Sequence, residues 1–201
     1  MGKMGKKPSE KKDFSAVNDV IEWNETFTGY CAVKWEKMPD IELYMDQVVT
    51  FLDRQMTMYR RKEDEKVITP SMINNYTKDH LIPRAKSKKY SKDHIALIMV
   101  VCSLKKVLSM PDLSNMLKDF KVNEDTKIEE FYELFSEYQT RAIQKTSQII
   151  SDSLKNTDIA GNAEKDVLKN LALKLSVEAQ TKCAAAEQIL GILEKNISGN
   201  Q

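Results

Sequence analysis

Between Ile68 and Ile95 the chain reads ITPSMINNYTKDHLIPRAKSKKYSKDHI, and the side chains best suited to grip another molecule are concentrated there. Ser71, Asn74, Asn75 and Lys78 recur at i, i+3, i+4 and i+7, so a helix would carry all four on one face. An Asn amide donates and accepts together, which matches the N6/N7 edge of adenine, and one such bidentate pair is worth about 1–3 kcal/mol of base discrimination. Ser71 and Lys78 on the same face suit phosphate oxygens. Arg84, Lys86, Lys88 and Lys89 follow, with Tyr90 next in line, and these cations would release counterions from a DNA backbone. Asn costs a helix about 0.5 kcal/mol relative to Ala, so two adjacent asparagines ask for a compensating interaction. A plainer description fits the same residues equally well: a capped surface helix followed by a lysine-rich loop.

Charge distribution favours the first description. The whole chain carries only +1, but residues 66–92 hold 7 basic and 1 acidic side chains. A basic patch on a neutral protein points to a polyanion-facing surface. Enzyme chemistry finds little support. His80 and His94 are too few for a zinc site, no metal or cofactor is expected, and there is no Gly-rich phosphate loop, GxSxG or HExxH. Glu129 and Glu130 read as a solvated helix face. Cys31, Cys102 and Cys183 are odd in number and lack CxxC spacing, as expected of reduced thiols in a cytoplasmic protein. The start, MGKMGKKPSEKKD, lacks the apolar run of a secretion signal, and Lys6 stands where a myristoylation signal needs Ser or Thr. No apolar window is long enough for a membrane span.

These residues need elements to position them. Residues 1–13 read as a disordered tail. Residues 14–37 hold one short amphipathic helix (Phe14, Val17, Val20, Ile21), then irregular chain. Six Gly and five Pro in 201 residues favour helices over a sandwich or barrel. Met38-Pro39-Asp40 opens a predicted helix running to about Arg60 through Ile41, Tyr44, Val48, Leu52 and Met56. The charged run RRKEDEK then reads as a solvated loop. Thr69-Pro70 begins the helix of interest, with Met72, Ile73 and Tyr76 inward. PRAKSKKY is a loop or two-stranded wing, and Ser91 caps an all-apolar helix through IALIMVVCSL. Ser109 and Asp112 form a capping box for the next. Residues 121–201 read as two long helices, traced by Ile128, Phe131, Phe135 and Tyr138 and by Leu168, Leu171, Leu175, Cys183 and Leu190. A helical hairpin or short bundle is expected there, with apolar stripes that serve dimerisation.

The order of elements over 38–120 resembles the winged helix-turn-helix of the mercuric-resistance-type (MerR-type) regulators. Met72-Ile73-Asn74-Asn75-Tyr76 falls on that family's TLRYY, Leu81-Ile82 on its Leu pair, and Tyr90-Ser91 on the Tyr-Ser after its wing. Asn74 and Asn75 replace its Arg and first Tyr, and His80 its Gly, so its base preference does not transfer. The chain is also similar to a family of uncharacterised bacterial proteins, a domain of unknown function. PDIELYMDQV, TPSMINNY with LIP, and KKYSKDHIALI carry that likeness over roughly 36–120. Together the resemblances imply an all-α protein with a small β wing: a MerR-like winged helix-turn-helix followed by a C-terminal helical hairpin. They imply a DNA-binding regulator, a homodimer on duplex DNA, whose small-molecule effector the sequence does not name. A protein–protein adaptor on a degenerate winged helix is the alternative.

Overall fold

A computed structural model of the protein describes residues 15–60, 62, 64–120, 127–155 and 162–198. The predicted tail at 1–13 and Phe14 lie outside these. The described chain is mostly helical: α1 (Ala16–Thr28), α2 (Met45–Gln55), α3 (Pro70–Lys78), α4 (Lys92–Leu104), α5 (Met110–Leu117), α6 (Lys127–Leu154) and α7 (Asn162–Ser198). Single 3-10 turns occupy Trp35–Lys37 and Thr57–Tyr59. Two short strands, β1 (Leu43–Tyr44) and β2 (Lys89–Tyr90), pair antiparallel, Leu43 with Tyr90 and Tyr44 with Lys89.

α4 lies at the centre. Its residues His94 to Cys102 are all buried, as IALIMVVCSL requires, since a helix apolar on every side must be enclosed on every side. Val48 and Leu52 of α2, Ile73 and Tyr76 of α3, Leu113 of α5, and Ile128 and Tyr132 of α6 join it in one core. That core runs past the expected boundary at 120 into α6. It also draws in Val33 and Trp35, because the Tyr132 hydroxyl donates to the Val33 carbonyl at 2.8 Å.

The expected helix over 38–60 is shorter than its periodicity suggests. Pairing with β2 holds Leu43 and Tyr44 extended, so α2 starts only at Met45, where the Gln47 side chain accepts from the Tyr44 N–H at 2.9 Å. Ile41, placed on the inward stripe by spacing alone, is 71 % exposed. α3 starts as its sequence indicates. Thr69 Oγ1 accepts from the Met72 N–H at 3.3 Å, and Pro70 fills the first turn. Its C-terminus closes in a Schellman motif. The Leu81 N–H bonds the Tyr76 carbonyl at 2.9 Å, the His80 N–H bonds Thr77 at 3.3 Å, and His80 takes a φ of 57°. Leu81 and Ile82 are buried immediately beyond.

The two long C-terminal helices expected from the sequence are present as α6 and α7. α6 packs along α4 and α1, and α7 packs on α5 and α1. α6 and α7 share an apolar cluster near their junction, formed by Ile150, Leu154 and Leu171 with Val17 and Val20 of α1. Ile128 is buried as predicted, but the inward stripe of α6 then follows Tyr132 and Ser136, one residue beyond the predicted Phe131 and Phe135. Ile128, Tyr132, Ser136, Ile143, Ser147, Ile150 and Leu154 are buried, while Tyr138 is exposed. Serines mark the face that closes on α1. Asn24 Nδ2 donates to the Ser147 carbonyl at 3.2 Å and Ser151 Oγ at 3.1 Å, and Thr28 Oγ1 bonds Ser147 Oγ. Their small side chains allow close approach, and a search for large apolar residues passes over them.

The left-handed backbone at His80 yields a stability test. An L-residue there costs about 1–2 kcal/mol, part of which glycine returns through its greater freedom in the unfolded chain. His80→Gly is therefore expected to raise unfolding free energy by about 0.5–1 kcal/mol in a denaturant titration.

Candidate nucleic-acid interface

α3 buries Ile73 and Tyr76 and turns Ser71, Asn74, Asn75 and Lys78 to solvent. None of those four side chains bonds to another part of the protein among the described residues. The hydrogen-bonding face of the helix is therefore unoccupied. The Thr69 cap, the Schellman closure and the two buried anchors fix its orientation.

Ten residues on, Lys86 bridges to Lys89, whose N–H returns to the Lys86 carbonyl at 2.9 Å. The two intervening residues, Ser87 and Lys88, have φ of 51° and 64°, the pattern of a two-residue type I′ hairpin turn. Asn-Gly is the usual occupant of such a turn, so a lysine at its tip gives up backbone ease for an exposed cation. Arg84, Lys86 and Lys88 are exposed, and among the described residues none is in an ion pair. Lys89 is half-buried, its Nζ 5.7 Å from the centre of the Tyr44 ring. Tyr90 departs from the expected set. At 5 % exposure it lies beneath the ribbon, edge-on to the His94 ring at 5.6 Å, and supports the surface without forming it.

Two supporting residues escape a motif-based reading. His94 is buried at the start of α4. Its Nδ1 accepts from the Ser91 N–H at 3.1 Å, which leaves the ring proton on Nε2, facing the Arg84 carbonyl at 3.4 Å. One neutral imidazole thus ties the ribbon's first arm to the helix behind it. Burial lowers its basicity, against the opposing effects of the Arg84 carbonyl, Asp93 and Glu42. The second residue is Asp53, at the end of α2. It receives the Arg60 guanidinium at 2.5 Å and the Val67 N–H at 3.4 Å, closing the long turn between α2 and α3 at both ends. Part of the charged run read as a solvated loop is therefore anchored; Arg61 and Glu63 lie outside the described residues. The signal for both was a polar residue at an inward helical position.

The fold and this surface define a helical domain in which two helices joined by a closed turn precede a small basic ribbon and a buried helix. The model of the family described as Domain of unknown function (DUF1836) matches residues 33–135, just over half of the chain, and the chain belongs to that family. The match begins and ends around the Tyr132–Val33 bond, so the family's segment coincides with the α4-centred core. No curated protein and no solved structure matches the chain.

His94 gives the domain a pH dependence of definite sign. Its folded basicity is depressed, so below the ordinary imidazole value of about 6.5 the unfolded chain binds more protons than the folded one. Stability is full above that value and is expected to fall as pH drops beneath it. Thermal unfolding from neutral to mildly acidic pH measures this, and His94→Gln should flatten that part of the profile.

Proposed function

We propose that the protein is a sequence-specific DNA-binding regulator of winged-helix type, with α3 as its recognition helix and the Lys86–Lys89 turn as its wing. The observation that carries this is the solvent-facing polar side of α3, followed by a turn whose cations have no acidic partner among the described residues. Asn74 and Asn75 would address base edges in the major groove. Ser71, Lys78, Arg84, Lys86, Lys88 and Lys89 would hold phosphates. The succession β1, α2, α3, ribbon, α4 supports a MerR-like arrangement. A non-catalytic role follows from the same reading. Among the described residues no helix is long and apolar enough to cross a membrane.

A homodimer on a two-fold operator fits the exposed apolar side chains of α7, namely Leu173, Val177, Ile189, Ile192 and Leu193. The same surface favours a second reading, in which α7 captures another protein and the lysines serve solubility. Leu173→Glu with Ile192→Glu would then abolish capture, while neutralising Lys86, Lys88 and Lys89 would change nothing. Cutting the chain at 120 is unsuitable as a test, because it removes Ile128 and Tyr132 from the core.

Selection from a random duplex pool, followed by low-salt mobility shifts, tests the DNA reading. Asn75→Ala should relax preference at one or two positions, losing about 1–3 kcal/mol of discrimination. Lys88→Ala should weaken all duplexes alike and reduce the salt-dependence slope by about 1. No shift with any duplex at low salt contradicts the proposal.

A further inference from the structure

Where α4, α5, α6 and the Thr57–Tyr59 turn converge, the core does not close. A cavity of about 410 Å³ remains there. Leu104, Met116, Phe131 and Phe135 form its apolar walls. Leu134 and Tyr138 also line it and are 44 % and 60 % exposed, so they border its solvent side. Among the described residues no charged side chain lines the cavity.

Among the described residues its polar groups are those of Tyr59, Ser103 and Gln139. Ser103 Oγ donates to the Met99 carbonyl at 2.8 Å, and Gln139 Nε2 donates to the Tyr59 hydroxyl at 2.5 Å. Gln139 Oε1 is shielded from solvent and has no partner. A buried acceptor without a donor is a standing free-energy cost, and removing it requires an incoming donor. The volume falls within the roughly 300–1,000 Å³ of small-molecule sites, which combine apolar walls with a few convergent polar groups. Packing alone would place an apolar residue at 139.

We propose that this cavity is a binding site for a small, neutral, mostly apolar molecule carrying one hydrogen-bond donor. The apolar body lies between Leu104, Met116 and the two phenylalanines, and Gln139 turns its shielded Oε1 into the cavity to accept the donor. Neutrality follows from the uncharged lining, and the single donor from the single vacant acceptor. Tyr59 also ends the Thr57–Tyr59 turn, from which the chain continues to α3, so an occupant rests against the segment that leads to that helix.

Indole, with one N–H on an apolar frame, and indene, its counterpart without the N–H, test this on the full chain by two-dimensional amide NMR. The expected result is saturable indole binding that shifts Tyr59, Leu104, Phe131 and Gln139, with indene at least tenfold weaker. Gln139→Leu should lower indole to the affinity of indene, and Met116→Trp should exclude both. Should Met116→Trp fail to fold, the two probes on the parent chain and on Gln139→Leu still decide. Any of three results overturns the proposal: no saturation by indole, shifts that map away from the cavity, or an indole preference that survives in Gln139→Leu. Concentration-dependent shifts at Leu134 and Tyr138 without a probe would overturn it too, by showing a second copy of the chain over the cavity.

Discussion

A helix with no polar side must be covered on every side, and α4 imposes that requirement on the rest of the domain. From His94 to Cys102 nothing on it faces water, so α2 with α3, the ribbon, α5 and the first turns of α6 are all needed to enclose it. Each fully buried aliphatic side chain contributes about 1.5–3 kcal/mol relative to exposure, and the run supplies six of them in Ile95, Leu97, Ile98, Met99, Val100 and Val101. The surface proposed to read DNA is a by-product of this enclosure. Ile73 and Tyr76 must face α4, and helical periodicity then turns Ser71, Asn74, Asn75 and Lys78 outward.

Electrostatics adds direction to that surface without adding much stability. Lys86 and Lys88 are exposed and have no ion-pair partner among the described residues, and such charges contribute little to folding in water. Under the proposed DNA reading their value would lie in an external polyanion, where each neutralised phosphate releases counterions. The strained geometry at Ser87 and Lys88 agrees with this. Two successive positive φ values on non-glycine residues are a local cost, set against a tight turn that places Lys88 at its tip. Acidic residues are not absent: β1 pairing brings Glu42 close enough to influence His94, at the base of the ribbon and away from the tip.

What could be read in the sequence was whatever local chemistry determines. The Thr69-Pro70 and Ser109 caps, the two faces of α3 and the burial of α4 depend on neighbours in the chain, and residue types report them directly. What could not be read depended on partners distant in sequence. β1 is two residues long and exists only because β2 lies beside it, so PDIELY looks like the first turn of a helix until the ribbon is in place. The inward face of α6 was hidden by Ser136 and Ser147, small polar residues that mark close contact where spacing rules expect bulk. The candidate residues of α3 lie on the surface as their spacing implies, whereas Lys89 is half-buried and Tyr90 buried, because adjacency to lysines says nothing of which face a two-residue strand turns inward. The cavity beside Gln139 had no local signature, since its lining comes from four separate segments.

α6 belongs to both parts of the molecule, and this determines how the C-terminal helices relate to α3. Its first two turns lie inside the family segment that ends at 135, and the remaining turns carry α1 and the start of α7. Apolar contacts alone would let α1 slide along such a helix by a turn at little cost. Asn24 resists this, because its two amide donors find the Ser147 carbonyl and Ser151 Oγ in one register. Moving it would strand a buried amide at about 1–3 kcal/mol. A continuous helix of 28 residues, about 42 Å long at 1.5 Å per residue, then connects that fixed register to the core beneath α3. A partner held on the exposed residues of α7 would thus stand at a set offset from α3. In the proposed dimer, two copies related by a two-fold axis would need such an offset to meet paired half-sites, and the polar contact at Asn24 would then help to set their spacing.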